Sequence, residues 1–347
     1  MFDCSKDVRA FHDKKVTLPK SEQEAMRDRR DANRRRLRKG LEANDDPAAK
    51  EFVKQGSYAM RTMTQHPDND YDIDDGVYFL KEDLVGARGG ELSAFQAREM
   101  VRDAVDDGSF KDAPEVRGNC VRIFYAKGYH VDMPVYRTVT EDDETYHELA
   151  SSSGWRRSDA RDVTQWYEDK RAASGDGIQL RRLTREVKKF ARSRTHWCSR
   201  ILSGFGITAL VVEKLWLDAD REDVALYETM KAMRDRLNCQ LDIDHPVTKG
   251  DKLATADSAK SAYLRDRLTD AIGWLAPLFE SDCTREKALG CWDKAFNTTF
   301  FSERGEDEAR AASVAGLGKA AVASTLILGL ESQTQAAVRA TGGGRHA

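Results

Sequence analysis

The sequence predicts an α+β protein of two lobes: an α/β lobe on a mixed sheet, then a C-terminal helical bundle, with a long N-terminal helix bracing the first lobe. Three observations carry this. Apolar residues alternate with polar ones in the first half, at Ile73 and Val77 and again at Val121, Ile123 and Tyr125, the period of half-buried strands. From Ile178 onward the period changes: Leu180, Leu183, Val187 and Phe190 recur at helical spacing. Ser21 to Asn44 is free of Gly and Pro until Gly40 and rich in Arg, Glu, Gln and Ala, which reads as one long exposed helix.

Ser21 with Glu24 forms a capping box at the start of that helix. Arg27 to Lys39 holds eight basic residues against two acidic ones, either a solvated face or a brace against another element. The helix stops at Asp45 to Pro47, and the short segment AAKEFVKQGSY leads into an acidic strand. Leu92 to Asp106 reads as a helix. Asn119 to Arg137 reads as a hairpin, with a turn at Lys127–Gly128 and a return from Tyr129 to Tyr136. Glu141 to Gly177, polar and punctuated by Gly and Ser, is the expected crossover. Ile207 to Leu217 is a second apolar helix of the bundle, and Tyr227, Met230, Met233 and Leu237 mark a third. The expected organisation is residues 1–150 for the N-terminal helix and α/β lobe, 151–177 for the crossover, 178–335 for the helical lobe and 336–347 for a flexible tail.

A chain of 347 residues with 40% hydrophobic and 33% charged residues is a soluble globular composition. The net charge of −3 argues against a dedicated nucleic-acid binder, so nucleic acid is not expected to be required. The six cysteines lie far apart without a C-x-x-C, which excludes a zinc ribbon and fits reduced thiols in a cytoplasmic protein. The N-terminus lacks the apolar core of a secretory signal. Ala320 to Leu330 falls short of the ~20 residues of a membrane span and reads as a packed terminal helix, so no membrane partner is expected.

The chemistry concentrates in QGSYAMRTMTQHPDNDYDIDDGVYF, Gln55 to Phe79, where four acidic residues fall within six positions. Carboxylates on a core strand cost several kcal/mol unless a cation neutralises them, so this strand asks for one. Residues two apart on a strand share a face, so Asp72 and Asp74 stand side by side while Ile73 faces away. Asp75 lies on the face opposite Asp74 and serves the fold. On the returning strand of the hairpin His130, Asp132 and Pro134 share a face. If the two strands are neighbours, Asp72, Asp74 and Asp132 converge into an oxygen-rich cradle suited to Mg²⁺, with His130 a hydrogen-bonding neighbour. Gly56–Ser57 supplies close backbone approach, N–H groups and a hydroxyl for a triphosphate.

Gly-Ser, a short helix, Asp-x-Asp on a strand and a single Asp on a later strand resembles the DNA polymerase β-like nucleotidyltransferases. GSYAMRT…YDIDDGVYF and CVRIFYAKGYHVDMPVYR are similar, more closely, to the bacterial cGAS/DncV-like nucleotidyltransferases of anti-phage signalling operons. The resemblance is strong over Gln55 to Arg137 and weaker into LRRLTREVKKFARSR…SGFGITALVVE. It implies a polymerase β-like lobe and a C-terminal helical lobe with the site in the cleft between them. It further implies NTP substrates, two Mg²⁺ ions (Mn²⁺ as an alternative), and a cyclic di- or trinucleotide product that acts on a separate effector. Asp72, Asp74 and Asp132 match the catalytic metal ligands, and Gly56, Ser57, Lys188 and Ser203 match the residues that hold the donor phosphates, with Lys189 the alternative to Lys188. Arg122 stands where a family arginine contacts phosphate; its other reading is a strand-face arginine paired with an acid. Asp244 matches a base-contacting aspartate, or is turn chemistry before His-Pro. Met60 replaces a base-stacking aromatic, which leaves base preference open, and the zinc insertion of the vertebrate enzyme is absent. Some relatives are attached to targets through the C-terminus by ubiquitin-like conjugation machinery, which a tail ending TGGGRHA suits. The alternatives are a nucleotidyltransferase acting on RNA or protein, and a catalytically idle nucleotide- or RNA-binding module.

Overall fold

The computed structural model describes residues 1–65, 71–86, 88–125 and 128–311. Lys127, the apolar run from Ala320 to Leu330 and the expected tail lie outside them. The first lobe is built around β2 (Asp72–Leu80), which has β1 (Glu51–Gln55) antiparallel on one side. On its other side run β5 (His130–Met133) and β6 (Val135–Glu141), both parallel to β2. The expected single return strand is therefore two. Pro134 lacks an N–H and interrupts the ladder, and its carbonyl accepts from Val77 N–H at 2.8 Å. β4 (Val121–Phe124) flanks β5 and β7 (Glu144–Ser151) flanks β6, with β3 (Glu115–Val116) and β8 (Gly154–Arg157) outermost. The sheet is mixed, as expected, and β1 had no separate expectation.

The register makes the faces unequal. Val77, Phe79, Ile123, Val131 and Met133 point to one face and pack under α4 (Ala94–Val105) and α2 (Lys20–Ala43), through Ala97, Val101, Leu37 and Leu41. Ser93 and Gln96 close a capping box on α4. The box expected at Ser21 and Glu24 does not form. Helix α2 begins at Lys20 with Pro19 as its N-cap and no side-chain cap, so Ser21 is already inside the first turn. The arginine cluster is a brace as well as a solvated face: Arg34 reaches Asp75 on the sheet face that α2 covers, and Arg29 lies over the Tyr129 ring at 3.8 Å.

The second lobe gathers α6 (Gly177–Ala191), α7 (Gly204–Glu213), α8 (Glu222–Cys239), α9 (Ala259–Leu275) and α10 (Arg285–Phe296). Leu183, Val187, Phe190, Met230, Met233, Leu264, Leu268 and Trp292 form one core. Helix α7 ends at Glu213, four residues before the expected Leu217. Two expectations of organisation change. Glu141 to Gly177 is no bare crossover, since it contains β7, β8 and α5 (Ala160–Ala173). The first residues, placed by sequence with the α/β lobe, belong to the helical core: Cys4, Val8, Phe11 and Val16 are buried in it. Within α1 (Ser5–Phe11), the buried Asp7 takes hydrogen bonds from Arg285 and Arg304. Between Val16 and Lys20 the chain leaves this core for the long helix. Among the described residues no helix is long and apolar enough to cross a membrane.

Candidate active site

The face of β2 turned away from α4 carries Asp72 and Asp74. Parallel pairing with β5 sets Asp72 opposite His130 and Asp74 opposite Asp132, and antiparallel pairing of β4 with β5 sets Arg122 opposite Asp132. Both strands expected to be neighbours are neighbours, in the register that groups all three carboxylates. Asp72 and Asp74 border a cavity of about 570 Å³ that Gln55, then Gly56 and Ser57 of the short α3 (Gly56–Ala59), Met60 and Met63 close from the first lobe. Lys188, Arg192, Gly204, Phe205 and Thr208 close it from the second.

Three of the four acidic residues each meet a different cation. Asp75, fully buried on the opposite face, receives Arg34 through both guanidinium arms, Nε at 2.6 Å. Asp132 receives Arg122 in the same bidentate way, at 2.8 and 2.7 Å. Asp72 Oδ2 lies 3.7 Å from His130 Nε2. Burial would raise the Asp72 carboxyl, but the close approach of His130, with the charges of Arg122 and Arg192, holds it below its ordinary value. Burial would likewise depress His130, and Asp72 outweighs it and raises the imidazole. Asp74 has no hydrogen-bond or ion-pair partner among the described residues. Burial, then the charges of Asp72 and Asp132, push its carboxyl up to about 7.

That unmatched carboxyl shows that the donor set fits a divalent cation. Two negative neighbours and a low-dielectric setting disfavour its ionised form, and a hard cation with oxygen ligands reverses this. Asp72, His130 and Asp132 each offer a ligand atom within 4.8 Å of one another. Asp74 is absent from that trio because its carboxylate leans over Gly56: a Cβ added at Gly56 would sit 2.1 Å from Asp74 Oδ2. Gly56 also has φ of +60°, in the left-handed region. The Gly of the Gly-Ser pair is thus required twice, by backbone conformation and by the approach of Asp74.

Lys188 is no solvated helix lysine. It is buried, and its Nζ donates to the Thr62 carbonyl at 2.9 Å. Burial first, then Arg192 and Arg185, pull its ammonium down to about 7. Lys189, the alternative, points elsewhere, donating to the Gln65 carbonyl at 2.9 Å. Ser203 caps α7, its Oγ accepting from Gly206 N–H, and is exposed at the cavity edge beside Gly204. Asp244 lies outside the cavity lining on β9 (Ile243–Asp244), exposed and 3.4 Å from Lys252 on β10 (Lys252–Ala254). A two-residue strand paired with β10 turns it from the cleft, and its neighbour His245 approaches the cleft instead, its ring 5.4 Å from Phe205. Arg192, Phe205 and Thr208 had no sequence expectation. The only signal for Arg192 was its place four residues after Lys188 on one helix.

Residues 50–136 match the family model for the cyclic GMP-AMP synthase DncV-like nucleotidyltransferase domain. The chain thus contains a segment similar to the DncV-like nucleotidyltransferase domain. The match covers β1 through the start of β6, the segment that carries Gly56, Ser57, Asp72, Asp74, Arg122 and Asp132. The chain is 22% identical over 218 residues to a cyclic GMP-AMP synthase of Escherichia albertii, covering 60% of this chain and 47% of that protein. It thus spans about half the length of that curated relative. A crystal structure of Escherichia coli DncV in its 3'-deoxy GTP bound form superposes with a TM-score of 0.64 at 18% identity, covering 81% of this chain and 92% of that one. E. coli CdnC with ATP gives 0.64 at 18% identity over 85% and 98%. Vibrio cholerae DncV with the linear intermediate 5' pppA(3',5')pG gives 0.64 at 17% over 81% and 91%. The DncV-like fold therefore extends beyond the matched domain into the helical lobe.

Proposed function

We propose that this chain is a template-independent nucleotidyltransferase that joins NTPs into a cyclic di- or trinucleotide signal for a separate effector, in anti-phage signalling. The observation that carries the reading is the register of β2 and β5, which sets Asp132 beside Asp74 and Asp72, the latter two on one wall of a cavity whose other wall presents Lys188. Divalent cations on these carboxylates, Mg²⁺ or Mn²⁺, supply positive charge beside the reacting phosphate and make a ribose hydroxyl easier to deprotonate.

The chain's own groups do the positioning, which dominates phosphoryl transfer. Gly56 and Ser57 present N–H groups and a hydroxyl to the donor triphosphate. Lys188 reaches it from α6 and Ser203 from the start of α7. Arg122 is held by Asp132 through two hydrogen bonds and would be free to turn to phosphate if Asp132 held a cation. Asp132 then accepts the hydroxyl proton. Wild-type protein incubated with each pair of labelled NTPs and Mg²⁺ or Mn²⁺, then treated with phosphatase, should leave a small resistant product, and Asp72→Asn/Asp74→Asn should leave none. An extended polymer or labelled protein in its place would assign the site to RNA or protein modification. No incorporation from any pair would mark a catalytically idle module.

A further inference from the structure

We propose that Arg192 binds the pyrophosphate end of the donor nucleotide and stabilises it as it leaves, an assignment that rests on the nucleotidyltransferase reading of the cavity. Arg192 closes α6, its N–H bonded to the Lys188 carbonyl at 3.2 Å, and stands one turn beyond Lys188 on the same helix face. Both line the cavity with Arg122. The three cations differ in how they are occupied. Arg122 is locked onto Asp132 by two hydrogen bonds, and Lys188 is tied to the Thr62 carbonyl. Arg192, exposed, has no hydrogen-bond or ion-pair partner for its guanidinium among the described residues. Its charge is nevertheless felt inside the cavity, lowering the Lys188 ammonium and the Asp72 carboxyl alike.

A guanidinium without a carboxylate, one turn from a second cation and at the edge of an acidic cavity, is stabilised by an anion that spans both. The triphosphate is such an anion, and the planar fork of arginine suits two oxygens of one phosphate. In the reaction the acceptor hydroxyl oxygen bonds to the α-phosphorus and its proton passes to a carboxylate of the cluster. The bond from that phosphorus to the α–β bridging oxygen breaks, and its electron pair leaves with pyrophosphate. Charge grows on the leaving group, where Arg192 and Lys188 face it.

Calorimetric titration with the α,β-methylene analogues of ATP and GTP, with AMP and GMP, and with inorganic pyrophosphate, all in Mg²⁺, tests this. Arg192→Ala should weaken triphosphate and pyrophosphate binding about tenfold to a hundredfold and leave monophosphate binding unchanged, and Arg192→Lys should recover part of the loss. Arg200→Ala, an exposed arginine stacked on Tyr263 away from the cavity, should bind as wild type. A melting temperature lowered in Arg192→Ala with triphosphate affinity intact would reduce Arg192 to a helix-end residue and overturn the assignment. If wild type binds none of these probes, the nucleotidyltransferase reading falls and this one with it.

Discussion

Replacing Gly56 with alanine tests the two demands that the site places on that position, and the structure lets each be sized. Gly56 sits at φ of +60°, where an L-residue costs about 1–2 kcal/mol. That predicts a fall of about 1–3 °C in melting temperature for a chain of this size. The added Cβ would also stand 2.1 Å from Asp74 Oδ2, inside the 3.0 Å that real Cβ contacts respect. The carboxylate then retreats by about 1 Å, a misplacement that costs about 10²-fold in rate. Asparagine separates the two effects, because it tolerates the left-handed conformation but carries the same Cβ. Thermal unfolding and nucleotide incorporation are measured on both variants. Gly56→Asn is expected to melt nearer to wild type than Gly56→Ala while losing as much activity. Activity within about twofold of wild type in either variant would refute the close approach of Gly56 and Asp74 as a requirement of the site.

Three further outcomes follow from the charges. Arg34→Leu strands the buried Asp75 carboxylate and should cost about 3–5 kcal/mol of stability, with Asp75→Asn in the same chain recovering part of it; denaturant titrations giving equal stability for Arg34→Leu and wild type would remove the brace. Glu186, fully buried with neither carboxylate oxygen hydrogen-bonded among the described residues, is raised well above its ordinary value by burial and then by Glu222. The native state therefore keeps a proton that the unfolded chain has lost, so this contribution is whole below about pH 4 and fades as pH climbs through the native value. Glu186→Gln should lose less stability than wild type between mildly acidic and alkaline pH, and parallel curves would show that the carboxyl is solvated or paired. Lys188, held down to about 7 by burial and Arg192, should regain its proton when a triphosphate arrives. Binding at pH 8 should then take up protons, read from calorimetry in buffers of different ionisation enthalpy, and Lys188→Met should abolish the uptake; equal uptake in both proteins would detach Lys188 from the phosphates.

Local pattern was enough where the sequence spacing itself carried the geometry. The two-residue period set Asp72 and Asp74 on one face and Asp75 on the other, and Leu180, Leu183, Val187 and Phe190 announced α6, because a strand or helix face is a property of consecutive residues. The Gly-Ser pair and the lone Asp132 could be placed in the same site only through their order along the chain and the resemblance it carries. Tertiary structure decided what depends on contacts between distant segments. Which cation neutralises each acid was one such matter: Arg34 comes from 41 positions away and Arg122 from the neighbouring strand. Helix α1 joining the helical core was another, since Cys4, Val8 and Phe11 are apolar wherever they pack. Polar residues between Glu141 and Gly177 concealed β7 and β8 because those strands lie at the outer part of the sheet, where much of each stays in solvent. The departure of Asp244 from the cleft and the arrival of Arg192 have the same origin: a side chain's neighbours across a cavity are set by how two lobes meet, and no spacing within either lobe encodes that.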